Sequence, residues 1–228
     1  TATPYAITAG NLNGVLPGAS LSGPYANAVT LNNAANSFSG NGSNLTALNA
    51  SQLASGTVPA AALSNAWKIG GNAGATPGAN FVGTTDTNAL EFKVNNQRAL
   101  RLEPTANDAN HSNLVNVVGG SPVNVVGAGV AGATIGGGGA GNYFGSASTN
   151  RVEADFGTVS GGRGNTIQPA SFATVGGGRE NTIQTNSGYA TIGGGIQNNI
   201  AINSPYSTIA GGHQNHIDSS SAYSAIGG

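Results

Sequence analysis

One short motif, repeated five times at near-constant spacing, constrains this chain more than any other feature. Its copies are Phe156-Gly-Thr-Val159, Phe172-Ala-Thr-Val175, Tyr189-Ala-Thr-Ile192, Tyr206-Ser-Thr-Ile209 and Tyr223-Ser-Ala-Ile226. The β-branched residues that close them are 16, 17, 17 and 17 residues apart. Glycine-rich steps follow, as at Gly176–Gly178 and Gly193–Gly195. A strict short period marks a quasi-one-dimensional fold, in which each unit stacks on its neighbours.

Each complete unit carries four marks in fixed register. An aromatic precedes the β-branched residue by three. A second apolar residue follows it by eight, at Ile167, Ile183, Ile200 and Ile217. An asparagine sits two before that, at Asn165, Asn181, Asn198 and Asn215. This spacing predicts two short strands per unit, separated by glycine turns. Alternation in the first strand puts Val/Ile on one face with Gly157, Ala173, Ala190 and Ser207, and the aromatic and Thr on the other. In the second strand Asn and Ile share a face, and Thr166, Thr182, Asn199 and His216 point away. The simplest closed path is one coil of a β-solenoid, with an aliphatic ladder and an asparagine ladder. Ordering one such unit costs more backbone entropy than two buried aliphatic side chains return. Coils must therefore stack, and the thin interior predicts further burial between chains through the outward aromatic row.

Composition supports a rod and removes several function classes. Charged residues are 7% of the chain, against about 25% in ordinary domains. Glycine supplies 38 of 228 residues without the Gly-X-Y period of collagen. The register of Val, Ile, Tyr and Phe, all strand formers, argues against a glycine linker. A formal net charge of −1 leaves no basic surface to track phosphates, so no nucleic-acid partner is expected. The absence of cysteine removes disulfides, thiolate metal sites and cysteine nucleophiles. No run of 18 apolar residues occurs, so no membrane-spanning helix is expected. Without an initiator Met or a signal peptide, and ending inside a repeat at Ile226-Gly-Gly228, the sequence reads as a processed or truncated piece of a longer chain.

Four regions are expected. Residues 1–65 form an Ala/Asn/Gly-rich connector with short strands. It carries an echo at an offset of 42, between Gly14-Val-Leu16-Pro17 and Gly56-Thr-Val58-Pro59. Residues 66–104 form a small β-unit, opening at Ala66-Trp67-Lys68-Ile69. Its hairpin joins Leu90-Glu-Phe92-Lys-Val94 to Leu100-Arg-Leu102 through Asn95-Asn96, with Glu91, Lys93, Arg98 and Arg101 facing outward. Residues 105–150 are a transition with degenerate repeats. Asn116-Val-Val-Gly119 and Asn124-Val-Val-Gly127 are eight apart, Thr134-Ile135 is an early copy of the motif, and an insertion over Asn142–Asn150 projects as a loop. Residues 151–228 are the solenoid repeats, continuing past Gly228. The fold class is all-β.

Two blocks carry a resemblance: Gly83-Thr-Thr-Asp-Thr-Asn-Ala-Leu-Glu-Phe-Lys-Val-Asn-Asn-Gln-Arg-Ala-Leu-Arg-Leu102, and the Tyr-Ala-Thr-Ile-Gly-Gly-Gly repeats with their Asn-x-Ile step. With Thr3-Pro4-Tyr5-Ala6-Ile7 and Phe38-Ser-Gly-Asn-Gly-Ser-Asn-Leu45, they resemble tail-fibre-like and trimeric-adhesin-like surface proteins of bacteria and their phages. The resemblance implies a parallel homotrimer with β-solenoid or β-roll heads stacked along a fibre axis. It also implies an extracellular, cell-surface or virion location, a role in attachment, and self-association as the main partnership, with surface glycans or host matrix as further partners.

Candidate chemistry is sparse. His213 and His216 form His-x-x-His, a spacing that suggests a metal pair. They align with Arg163, Arg179 and Ile196, and with Thr166, Thr182 and Asn199, which are variable outward positions on opposite faces of a strand. Glu153 and Asp155 are two apart and could share a face, as in a glycosidase or a calcium site; a solvated insertion edge is the plainer reading. The Gly-Gly-Gly steps lack the Lys-Ser/Thr of a phosphate loop. Asn41, Asn44, Asn49 and Asn110 open Asn-x-Ser/Thr triplets that so Asn-rich a chain produces by chance. No catalytic, cofactor-binding or metal residue is assigned, and no cofactor. The expectation is a non-enzymatic fibre or adhesin subunit. The alternatives are a glycan-binding phage tail-fibre segment and, behind it, a glycan-degrading tailspike using Glu153 and Asp155.

Overall fold

The computed structural model describes residues 71 and 73–228, all within the unit Trp67–Gly228. The connector expected over 1–65, its internal echo and the segment Ala66–Ile69 lie outside the described residues. Residues 73–89 form turns and bends with no strand. The rest is all-β.

Three strands open the structure: β1 (Leu90–Val94), β2 (Gln97–Pro104) and β3 (Val115–Gly119). β1 and β2 pair antiparallel across Asn95–Asn96, both with positive φ, which asparagine tolerates better than most residues. β2 then pairs antiparallel with β3. β1 and β2 are thus the first strands of the main sheet.

From β3 onward the chain winds as a β-solenoid of about six coils. One wall, sheet A, is extended in parallel from β3 by β5 (Thr134–Ile135), β9 (Thr158–Val159), β11 (Thr174–Val175), β13 (Thr191–Ile192), β15 (Thr208–Ile209) and β17 (Ala225–Ile226). The other wall, sheet B, is built in parallel from β4 (Val125–Val126), β8 (Arg151–Val152), β10 (Thr166–Ile167), β12 (Thr182–Ile183), β14 (Asn199–Ile200) and β16 (His216–Ile217). The eight-residue offset between Asn116 and Asn124 is one half-coil, since β3 lies on wall A and β4 on wall B. Thr134–Ile135 pairs in register with Thr158–Val159 across the insertion. That insertion is a small antiparallel hairpin of β6 (Ala140–Tyr143) and β7 (Ser146–Ser148).

Each wall contributes one aliphatic column to the core. Val118, Ile135, Val159, Val175, Ile192 and Ile209 stack from wall A, and Val152, Ile167, Ile183, Ile200 and Ile217 from wall B. The partner residue in each two-residue strand faces outward, as the pleat requires.

The asparagine column is the polar half of the core. Asn165, Asn181 and Asn198 are fully buried. The Asn181 Nδ2 donates to Gly177 O at 2.9 Å, to Gly195 O at 3.0 Å and to Asn165 Oδ1 at 3.1 Å. Its Oδ1 accepts the backbone N–H and the Nδ2 of Asn198. One residue thus bonds carbonyls at a corner of its own coil and of the next, and Gly195 O also accepts the Arg179 backbone N–H.

The corners depart from the expectation that glycine makes every turn. Gly178, Gly195 and Gly212 do take positive φ, and a Cβ at Gly178 or Gly195 would collide with the carbonyl of the glycine one coil on. Other left-handed corners are made by Glu180, Gln197 and Gln214, by Asn186, Asn203 and Ser220, and by the aromatics themselves. Phe156, Phe172, Tyr189, Tyr206 and Tyr223 are not strand residues in alternation with Thr. They sit at φ 56° to 64° in the turn that enters wall A. Their backbone N–H groups donate to the preceding coil, as Tyr189 does to Ser171 O and Tyr206 to Gly188 O, and this intercoil bonding holds the left-handed corner in place.

Candidate interaction face

A row of exposed aromatic side chains follows the corner that enters wall A. Phe156, Phe172, Tyr189, Tyr206 and Tyr223 form one column with ring centroids 4.9 to 5.0 Å apart and planes within 9° of parallel. That interval matches the spacing of hydrogen-bonded strands, so the backbone dictates it. The rings cover one another's faces and present their edges outward. Exposure rises from 37% at Phe156 to 76% at Tyr223. Beside them run the outward threonines of wall A, flanked by the small residues Gly136, Ser160, Gly176, Gly193 and Ala210.

The same face continues onto the opening hairpin. Val117 is in register with Thr134 and with Leu102, and Leu102 with Leu90. Leu100 pairs with Phe92. Leu90, Phe92, Leu100 and Leu102 therefore lie on the outer side, with Phe92 and Val115 exposed. Glu91 and Lys93 are exposed as expected, but Arg98 and Arg101 depart from the outward placement expected of them. Arg101 is in register with Val118, a core residue, so Arg101 and Glu103 turn toward the end of the core, where they pair at 3.1 Å. Arg98 Nη2 donates to the carbonyls of Pro122 at 2.9 Å and Asn124 at 2.8 Å, which ties the hairpin to the first coil.

The β6–β7 hairpin is a second candidate. Its turn, Phe144–Gly145, has positive φ at both residues, and Phe144 is 93% exposed. The hairpin is braced from below. The Arg163 guanidinium lies 4.4 Å from the Tyr143 ring centroid, a cation–π contact, and donates to Ser148 Oγ at 3.2 Å. The result is a fixed protrusion with an aromatic tip.

The structure separates the sequence-derived candidates. His213 falls in a bridged column with Arg163, Arg179 and Ile196, and His216 in the outward column of Asn199. Both are exposed, and His216 approaches Asp218 at 3.3 Å and Asn199 Nδ2 at 3.0 Å. Glu153 is engaged by Arg151 Nε at 2.6 Å. Asp155 accepts the backbone N–H of Ala131 at 2.9 Å and meets His111 Nε2 at 3.3 Å. His111 also contacts Asp108, at 3.2 Å through Nδ1. The Asp108 hydrogen bond is the main cause that raises the His111 pKa above its usual 6.5. The Asp108 pKa is lowered, first by the N–H of Asn110 and then by His111. This Asp108–His111–Asp155 cluster joins residues up to 47 apart, and no local pattern marks it.

Among the described residues no group of three or more His, Cys, Asp or Glu is placed to hold a metal ion, and no helix is long and apolar enough to cross a membrane. No known family model, curated protein or solved structure matches this chain.

Proposed function

We propose that this chain is a structural, non-enzymatic segment of an extracellular fibre, and that the outer face of wall A packs against further copies of the chain. The observation that carries this reading is the outward column of five stacked aromatic rings, to which Leu90, Phe92, Leu100 and Leu102 add a second apolar group on the outer side of the opening strands. A solenoid whose core is two aliphatic columns gains most by covering such a stripe, and contiguous apolar surface of this extent marks interaction sites. Parallel copies would bring equivalent coils level with one another, and a homotrimer is the arrangement that the resemblance to surface fibres implies. Attachment of a cell or virion is the corresponding role. The test is mass in solution. Three chains of 22.2 kDa give about 67 kDa by light scattering. A stable 22.2 kDa species at micromolar concentration would overturn the reading.

A second reading, binding of surface glycans, is favoured by the braced hairpin tip. Its Tyr143 and Phe144 offer aromatic surface on a rigid scaffold, and protrusions of that kind commonly carry recognition. Glycan-array binding lost on Phe144→Ala, with the mass unchanged, would support it. Cleavage of a bound glycan that disappears in Glu153→Gln would instead support a tailspike.

A further inference from the structure

We propose that Asp108, His111 and Asp155 form a proton-gated clasp, in which the imidazolium of His111 ties the β2–β3 loop to the solenoid wall and deprotonation releases it. The argument is geometric. A neutral imidazole has one N–H and one lone pair, whereas an imidazolium donates from both nitrogens. His111 turns both ring nitrogens to carboxylates. Nδ1 lies 3.2 and 3.3 Å from the two Asp108 oxygens, and Nε2 lies 3.3 Å from Asp155 Oδ2. Both contacts are hydrogen bonds only when the ring is protonated. In the neutral ring, one of them sets a lone pair against a carboxylate.

The carboxylates are themselves held in place. Asp108 Oδ1 accepts the N–H groups of Asn110 and His111, both at 2.7 Å, and Asp155 Oδ1 accepts that of Ala131. The charged groups that face His111 are Asp108 from its own loop and Asp155 from the corner entering β9. Among the described residues no lysine or arginine pairs with either one, since Glu153 occupies Arg151 and Glu103 occupies Arg101.

The loop has few other ties. Thr105 Oγ1 donates to Leu114 O, Asp108 N to His111 O, and Asn113 N to Asn107 Oδ1, all within the loop. Among the described residues, His111–Asp155 is the one hydrogen bond that carries residues 105–114 to the coils. Asp155 immediately precedes Phe156, so the clasp anchors the loop at the head of the aromatic column.

The sign follows from the two shifts. The His111 pKa is raised above 6.5, so its contribution is complete below 6.5 and is lost as pH rises through the higher folded value. The Asp108 pKa is lowered from 3.8, so its contribution is present above 3.8 and is lost as pH falls through the lower folded value. The clasp is closed in mild acid and opens toward alkali.

The test is amide hydrogen exchange on the full chain at pH 6 and pH 9, with rates corrected for intrinsic pH dependence. In the wild type, residues 105–114 and Ala131 exchange on the order of tenfold faster at pH 9, while Thr191–Ile192 is unchanged. In His111→Gln, the loop is fast at both pH values. Equal wild-type protection at both, or a His111→Gln loop as protected as wild type, overturns the proposal. The wild-type comparison needs no variant, so it decides the matter even if His111→Gln fails to fold.

Discussion

The coils of residues 150–228 and the opening strands of residues 90–119 are held by opposite means. In the coils, each contact is one member of a column. Ile183 meets Ile167 and Ile200, Asn181 meets Asn165 and Asn198, and each ring meets the next. In the opening strands, contacts are single and heterogeneous: an antiparallel register, Arg98 on two loop carbonyls, Arg101 with Glu103, and His111 between two carboxylates. Repetition makes the coils tolerant of surface change and intolerant of any residue that disturbs stacking. The end of the solenoid needs unlike side chains because it has no identical coil above it.

Breaking a column at its centre gives the largest expected effect. Asn181→Ala removes the donor for Gly177 O, one of two donors for Gly195 O and the acceptor for Asn198, leaving buried polar groups unmet in its own coil and the next. The expected cost is about 3 kcal/mol or more, a fall of ~6–12 °C in thermal midpoint. Circular dichroism melting checks it, and a shift under 2 °C would show that the column is not a stabilising unit.

Next comes a pair of glycines that differ in both backbone conformation and surroundings. Gly195→Ala places a Cβ against Gly212 O at a positive φ and is expected to cost more than about 2 kcal/mol. Gly211→Ala meets nothing within 4 Å and is expected to lie within ~0.5 kcal/mol of wild type. Equal effects in denaturant titration would break the stacking argument.

At the opening end, Arg98→Ala is expected to cost about 1–2 kcal/mol locally, through lost bonds to the carbonyls of Pro122 and Asn124 and a longer one to Ser121. Hydrogen exchange should quicken over residues 97–125 and stay constant over 180–210. Loss of protection throughout would mean that the opening strands and the coils unfold as one body.

The smallest effect on the single chain is expected at Tyr206. Tyr206→Ala forfeits two stacked neighbours, about 1 kcal/mol, yet it interrupts the outer stripe. Sedimentation should show weakened self-association from a variant whose melting differs little. Unchanged association would move the interchain contact away from the aromatic column.

Much of the coil was legible in the sequence because periodicity encodes it directly. The interval of 16 or 17 becomes the strand register, the Ile and Asn positions become the buried columns, and the Thr, Asn and His positions between them face solvent. The corners were less legible. Two-residue strands leave the aromatic outside the pleat, so an alternation argument placed it on the correct side for the wrong backbone reason. On the hairpin, alternation separated charged from apolar residues but not inside from outside. That assignment came from the register of Arg101 on Val118. The Asp108–His111–Asp155 cluster left no trace in the sequence, because its members come from a loop and a coil that approach only after winding.

By itself, then, the sequence determined the repeat, its period and which residues face inward, since a column of identical side chains needs only identical spacing. Tertiary structure decided what repetition cannot encode. It continued the sheet of the first coil into an antiparallel hairpin, turned the aromatics into left-handed corners locked by intercoil hydrogen bonds, and gave a single histidine two carboxylates. Each of these rests on contacts between unlike segments, whose geometry exists only once the coils are stacked.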